Sequence, residues 1–307
     1  MMQSLTPAIS VLMPVYNAEH YIAEAVESIL KQTFTDFEFI IINDGSTDRS
    51  LEILQRYAEQ DSRIRLISRE NRGLVKTLNE GLTLAKAPLI ARMDADDVAY
   101  PNRFAVQKDF LDKNPDCVCV GGKFGLIDEK GRFLISLDPK FGHDQIELSA
   151  LQGDTPICHP TALIRKVSLE AVGNYHEDDY PAEDLALFLN LCELGTLDNV
   201  SEIILNYRLH THSICSTTRE FQIKKARRIC EKHWEKRGKQ YDFIAGIGHH
   251  GRSRQSRFEV TLKHGWWAFN SKQLKTAIAY GFNSILLNPF NENGWRLFIC
   301  GLIKRQS

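Results

Sequence analysis

The 307-residue sequence predicts an α/β fold: a mostly parallel mixed sheet flanked by helices, followed by a C-terminal helical appendage. Three observations lead there. Short apolar, β-rich runs alternate with helically spaced segments over the first two thirds of the chain, the pattern of βαβ units on a parallel sheet. Polar clusters fall at the carboxyl ends of several runs, where open α/β sheets bind ligands. The charge balance then reverses, from 20 Lys/Arg against 33 Asp/Glu (net −13) in residues 1–215 to 18 against 6 (net +12) in residues 216–307. Two parts, 1–215 and 216–307, are therefore expected.

The elements follow in order. ISVLMPVYN (9–17) is the first strand and 18–31 the helix after it. FEFIIIND (37–44) is nearly continuous in apolar residues, as a strand covered on both faces should be. A helix over 50–59, a strand RIRLIS (63–68), a helix over 77–85 and a strand APLIARMD (87–94) come next. Residues 101–113 have helical character, and 118–137 form a hairpin turning at Glu129, Lys130 and Gly131, which makes the sheet mixed.

Composition excludes several classes. At 43% hydrophobic and 25% charged residues the chain suits a soluble globular protein with a full core. No N-terminal segment has the plan of an export signal, and no apolar run nears the roughly 20 residues of a membrane helix, so a cytoplasmic location is expected. The seven cysteines lack zinc-site or CxxC spacing and read as reduced core thiols, with Cys117 and Cys119 alternating along a strand. The acidic first part is not suited to nucleic acid.

Candidate ligand residues cluster at strand ends: Pro14, Tyr16 and Asn17 after the first, Asn43, Asp44, Gly45, Ser46 and Asp48 after the second, and Asp94, Asp96 and Asp97 after the fourth. Taken singly, such residues are commonly turn formers and caps. No GxxxxGK[ST] or GxGxxG stretch supplies a glycine-rich phosphate cradle, so a bound diphosphate would need a divalent cation on carboxylates. On an extended chain Asp94 and Asp96 share a side and Asp97 points elsewhere.

The stretches SVLMPVYNAEHYIAEAVESILKQTFTDFEFIIINDGSTDRS, RENRGLVKTLNEGLTLAKAPLIARMDADDVAYPNR and AEDLALFLNL, over about residues 8–215, resemble the family 2 glycosyltransferases. That resemblance implies the Rossmann-like GT-A fold and transfer of a sugar from a nucleotide diphosphate sugar, commonly with inversion. It implies that Val15, Tyr16 and Asn17, with Pro14 beside them, line the base and ribose pocket and that Asp44 accepts a hydrogen bond from the base. UDP is the favoured carrier and GDP the alternative. Asp94 and Asp96 match the DxD motif, Asp96 as the direct ligand of Mn²⁺ or Mg²⁺ and Asp94 toward the ribose or a metal-bound water. Arg72 would reach the phosphates, and His210 resembles a position near the metal. Asp184 occupies the place of the catalytic base, with Glu183 beside it.

The chemistry accounts for two separate carboxylate sets. Inverting transfer is a single displacement, in which an acceptor hydroxyl loses its proton to a base on one face while the diphosphate leaves from the other. The base contributes on the order of 10² to 10⁴ in rate. Read without the resemblance, Glu183 and Asp184 are the acidic first turn of a helix. His159, Pro160 and Thr161 would face the acceptor, and the simpler reading of His159 is a packed, hydrogen-bonded residue. Arg208, His210 and His212 close the catalytic part. No QxxRW motif is present, so one or a few sugars are added rather than a polymer.

In the basic part, Ile223, Ala226, Ile229, Cys230 and Trp234 mark one helix face, opposite Lys224, Lys225, Arg227, Arg228 and Lys232. Residues 263–307 are similar to one degenerate tetratricopeptide unit. The bland reading is a helical appendage with a solvated basic face. The functional one sets this face, with Trp266, Trp267, Trp295 and Phe298, on anionic lipid near a lipid-linked acceptor, as a peripheral contact on the cytoplasmic side of the membrane. Two readings compete with transfer: a sugar-phosphate nucleotidyltransferase and a non-catalytic nucleotide-sugar binding module.

Overall fold

The computed structural model describes residues 6–210, 219–244 and 256–306. In chain order the elements are β1 Ile9–Val15, α1 Ile22–Leu30, β2 Phe37–Asp44, α2 Ser50–Gln60, β3 Ile64–Arg69, α3 Leu74–Leu84, β4 Leu89–Arg92 and β5 Val98–Ala99. There follow α4 Arg103–Lys113, β6 Cys117–Ile127, β7 Phe133–Leu137, α5 His143–Leu151, β8 Leu163–Arg165, α6 Lys166–Ala171, α7 Glu183–Leu191 and β9 Thr196–Arg208. The last helices are α8 Arg219–Arg237, α9 Arg257–Asn270, α10 Leu274–Leu287 and α11 Glu292–Gln306. By packing, the described residues divide into two compact units, one of 6–124, 138–205 and 219–244, the other of 125–137, 206–210 and 256–306.

In the first unit the strand order is β3-β2-β1-β4-β8-β6-β9-β5. β1 runs parallel to β2 and to β4, β2 parallel to β3, and β8 is antiparallel to β4 and β6. The order reverses between β1 and β4, and a crevice outside their carboxyl ends is where such a sheet takes ligands. β2 is buried along nearly its whole length, as its apolar run predicts. Its Ile40 and Ile42 pack with Leu12 of β1 and with Val75, Leu78 and Leu82 of α3. Each such aliphatic side chain contributes about 1.5–3 kcal/mol on burial.

Most expected elements appear within a few residues of their predicted limits, and the departures have local causes. α1 starts at Ile22 rather than Ala18 because the Ala18 and Glu19 N–H groups donate to Ser50 Oγ (2.8 Å) and Asp48 Oδ2 (3.0 Å). α3 starts at Leu74 rather than Thr77, since Gly73 at φ +87 begins it and its carbonyl accepts the Thr77 N–H at 3.1 Å. Cys117, Cys119, Cys158, Cys192, Cys230 and Cys300 are free thiols, and Cys215 lies outside the described residues.

α8 carries the strongest run of basic residues yet packs in the first unit. Ala226, Ile229, Cys230 and Trp234 are buried against Ala150, Leu151, Leu185 and Leu189 of α5 and α7, and Trp234 Nε1 donates to the Leu151 carbonyl at 2.9 Å. Lys224, Arg227, Arg228 and Lys232 stay exposed, as the helical spacing predicts.

In the second unit the β6–β7 hairpin is closed by Asp128. Its carboxylate accepts the N–H groups of Lys130 and Arg132 (2.9 Å each), Arg132 Nε (2.7 Å) and the Tyr280 hydroxyl of α10 (2.9 Å). Burial pushes that carboxyl up, and these hydrogen bonds more than offset it, leaving its pKa below the ordinary value. α10 and α11 approach closely through glycine: a Cβ on Gly281 would lie 2.7 Å from the Phe298 backbone.

Two buried side chains of α4 tie the first unit's strands together. Arg103 is fully buried; its Nη2 donates to the carbonyls of Arg92 (2.8 Å) and Ala162 (3.4 Å), and its Nε to Gln107 Oε1 (3.1 Å). Gln107 Nε2 donates to the carbonyls of Val120 (2.8 Å) and Thr161 (2.7 Å). Burial lowers the Arg103 pKa to about 9. Arg103→Met keeps the volume and strands those carbonyls, so chemical denaturation should show a loss of about 3 kcal/mol.

Candidate functional site

The loops after β1 and β2 clasp each other. Asn17, at φ +50, donates its N–H to Ser46 Oγ (3.0 Å) and accepts the Thr47 N–H on Oδ1 (2.8 Å). The Arg49 N–H reaches Glu19 Oε2 at 3.0 Å, and the Ser50 N–H reaches Asp48 Oδ1 at 2.9 Å. Ser46, Asp48 and Ser50 are thus spent on loop geometry. Of the residues expected to line the nucleoside, Val15 is buried, Pro14 half-buried and Tyr16 is 55% exposed, its ring toward solvent beside the clasp.

Asp44, at the end of β2, is buried and heavily engaged. Its Oδ1 accepts the Arg72 N–H (2.8 Å) and an ion pair from Arg69, and its Oδ2 accepts the Gly73 N–H (3.0 Å). One lone pair on Oδ2 remains for a further donor. Arg69 also donates to Glu80 Oε2 (2.6 Å) and Thr77 Oγ1 (2.9 Å), while the Arg72 side chain is exposed. Gly45, at φ +73, admits this packing, since a Cβ there would lie 2.5 Å from the Asn71 nitrogen. Asn43 donates to Ser68 Oγ at 2.9 Å, and among the described residues its buried Oδ1 has no hydrogen-bond partner.

β4 ends at Arg92, and the next residues bend. Strand alternation therefore stops there, and Asp97 does not point away: one carboxylate oxygen from each of Asp94, Asp96 and Asp97 lies within 4.8 Å of the others. Asp97 is buried and the other two are half-buried. Such an all-oxygen set suits a hard divalent cation such as Mg²⁺ or Mn²⁺. Arg92, which the sequence reading passed over, is buried and ion-paired with Asp94. Burial works against its charge, and Asp94, with help from Tyr175 and then Asp97, more than offsets this, raising its pKa.

The second acidic set is the first turn of α7. Glu183 is buried and Asp184 half-buried, its Oδ1 accepting the Leu185 N–H at 2.8 Å. Among the described residues Glu183 Oε2 has no hydrogen-bond partner. Burial and then the charge of Asp184 push the Glu183 carboxyl up to about 8, and burial raises Asp184, with Arg92 opposing in both cases. The two carboxyls are coupled neighbours, and each holds its proton more tightly than an isolated carboxyl does. Both acidic sets act on the Cys158 thiol: burial raises its pKa first, then Asp97, Asp94 and Asp184. The triplet and the pair share one neighbourhood around Arg92.

His159 takes the packed role. It is buried, its Nε2 lies 2.8 Å from the Tyr175 hydroxyl, and burial followed by Arg92 holds its pKa well below the ordinary value. Arg208 is buried in the second unit, where Nη1 donates to the Asp128 carbonyl at 3.3 Å. His210 is half-buried just after β9, and His212 lies outside the described residues. The signal for Arg92, Arg103 and Gln107 was present as polar side chains at apolar positions on β4 and α4, a pattern that burial requires to be partnered.

The model of glycosyl transferase family 2 matches residues 10–173. The O-antigen biosynthesis glycosyltransferase WbnJ of Escherichia coli is 37% identical over 211 residues, covering 67% of this chain and 81% of that protein. Among solved structures, S. aureus TarS 1–349 in complex with UDP-GlcNAc superposes with a TM-score of 0.61 at 17% identity, covering 90% of this chain and 80% of that one. The mannosyltransferase PcManGT of Pyrobaculum calidifontis in complex with GDP-Man and Mn²⁺ gives 0.54 at 16% identity, over 98% and 88%. The likeness to both is one of fold, and the fold is GT-A. The chain belongs to glycosyltransferase family 2.

The raised Glu183 carboxyl has a stability consequence. A carboxyl that binds its proton more tightly when folded adds stability below its ordinary value of 4.5, and that stability is lost as pH rises through about 8. Glu183→Gln removes this titration. Denaturation at pH 5 and pH 8.5 should show the variant gaining on wild type by about 3 kcal/mol at the higher pH.

Proposed function

We propose that this glycosyltransferase moves a sugar from a nucleotide diphosphate sugar, UDP-linked by preference, to an acceptor hydroxyl with inversion. The observation that carries the reading is the pairing of two acidic sets around one buried arginine: Asp94, Asp96 and Asp97 after β4, and Glu183 with Asp184 at the start of α7. Residues 1–215 hold the chemistry, and residues 216–307 form the basic helical part. WbnJ's role in O-antigen biosynthesis supports a cell-surface polysaccharide or glycolipid acceptor. The UDP-GlcNAc bound by TarS supports a UDP-sugar, and the GDP-Man of PcManGT marks the alternative carrier. The reaction takes place in the cytoplasm, on an acceptor that is a free or lipid-linked glycan.

Asp96 would hold Mn²⁺ or Mg²⁺, with Asp94 assisting. When bound, the ion supplies positive charge against the diphosphate. The rest falls to the chain's own groups. Pro14, Val15, Tyr16 and Asn17 border the nucleoside, with the exposed Tyr16 ring free to lie along the base. The remaining lone pair of Asp44 accepts the N–H of uracil, and Arg72 reaches the phosphates. Asp184 takes the proton of the acceptor hydroxyl as the new bond forms. Glu183 lies beside it, the more deeply buried of the two carboxyls, and Asp184 is the more accessible one. Arg92 pairs with Asp94.

Calorimetric titration with UDP, with and without Mn²⁺, tests the donor site. Binding should require the metal, be lost in Asp96→Ala, and exceed binding of GDP. Binding of neither nucleotide under any metal condition returns the acidic triplet to a turn feature. Asp184→Asn should keep donor binding and lower transfer by about 10² to 10⁴. Unchanged transfer in that variant removes Asp184 as base, and donor binding without turnover in wild type favours the binding-module reading.

A further inference from the structure

α11 is apolar on more sides than its own unit covers. Gly294, Leu297 and Gly301 form its buried stripe, and Gly301 lies so close to α10 that an added Cβ would meet Ile278 at 2.8 Å. The opposite face carries Trp295 (46% exposed), Ile299 (48%) and Ile303 (64%), spaced i, i+4, i+8, in place of the polar residues a solvated helix presents. The turn before it and the end of α10 continue the surface with Leu286 at 67% and Phe290 at 98%. Trp295 Nε1 donates to the Pro289 carbonyl at 2.9 Å, which fixes the turn and sets Phe290 at its tip.

Cations flank this strip. Arg296 lies 6.0 Å from the Trp266 ring centroid and Lys304 Nζ 4.7 Å from that of Phe269, both on α9, and both basic side chains stay exposed. Residues 256–306 hold seven Lys/Arg against two Asp/Glu. Of the aromatics expected to make a lipid face, Trp266, Trp267 and Phe298 are half-buried within the unit and Trp295 is exposed, so the surface lies on Leu286, Phe290, Trp295, Ile299 and Ile303.

We propose that the α10–α11 face is a docking surface for an anionic lipid bilayer. No described helix is long and apolar enough to cross a membrane. A helix with exposed large apolar groups beside basic ones lies instead in the interface plane, its apolar side among acyl chains and its cations at the headgroup phosphates. A second copy of the same face would bring like charges together, which disfavours self-association. This surface stands independently of the donor-site reading, since nothing in it involves the acidic sets.

The full chain at low salt should co-sediment with phosphatidylcholine vesicles containing phosphatidylglycerol about tenfold more than with phosphatidylcholine alone. The variant Leu286→Ser/Phe290→Ser/Ile303→Ser should lose about tenfold of that binding with its far-UV spectrum and melting curve unchanged, since all three side chains are exposed. Arg296→Glu should weaken binding to the anionic vesicles only. Equal sedimentation with both vesicle types, or binding that the triple variant leaves intact, overturns the proposal. So does a dimer seen by light scattering in wild type and absent from the triple variant, which would assign the face to a second copy.

Discussion

The buried ion pair of Arg92 and Asp94 is the constraint around which the first unit is arranged. A guanidinium withdrawn from water costs several kcal/mol unless carboxylates and hydrogen bonds replace its hydration. Here the replacement comes first from Asp94, with Tyr175 and Asp97 adding to it, and the same positive charge opposes the raised carboxyls of Glu183 and Asp184, so one guanidinium acts on both acidic sets. The strand that carries it must then be held firmly. The Arg92 N–H donates to the Ala162 carbonyl at 3.0 Å and its own carbonyl accepts from Arg103, which Gln107 orients in turn. That chain of contacts joins β4 to α4, to the 3-10 turn at His159–Thr161 and to β6.

A second polar network works in the same manner on the other side of β1. Asp44 binds two backbone N–H groups and Arg69, and Arg69 binds Glu80 and Thr77 of α3. This network shapes the segment between β3 and α3, which carries the exposed Arg72. Polar residues at the ends of β1 and β2 thus divide their work. Most of their hydrogen-bonding capacity sets the loops, and a remainder, such as the last lone pair of Asp44 and the face of Tyr16, is left for a ligand.

The second unit obeys a different rule. Its interior is closed by small residues: glycines on α10 and α11 let the two backbones meet, and Asp128 gathers the hairpin and Tyr280 into one hydrogen-bonded group. With the inner side taken by Gly294, Leu297 and Gly301, the apolar residues Trp295, Ile299 and Ile303 fall on the outer side. The distribution follows from which face the glycines occupy, and composition alone cannot express it.

Much of this was determined by the sequence alone. The period-2 and near-continuous apolar runs of β1 to β4 specify buried strands, the helical spacing of Ala226, Ile229, Cys230 and Trp234 specifies the packed face of α8, and the motif stretches specify the family. Such features are local, because side-chain period and turn chemistry act within a few residues. What tertiary structure decided is non-local. The short strand β8 and the polar-rich β9 exist because neighbouring strands supply their hydrogen bonds. Asp97 joins its neighbours because the chain bends once β4 ends, and His159 is buried because Tyr175, sixteen residues on, folds against it. That Arg92 acts on two acidic sets, more than eighty residues apart in the chain, depends on the first turn of α7 folding near the end of β4. A buried charge takes its meaning from what surrounds it in space, and a linear sequence does not contain that surrounding.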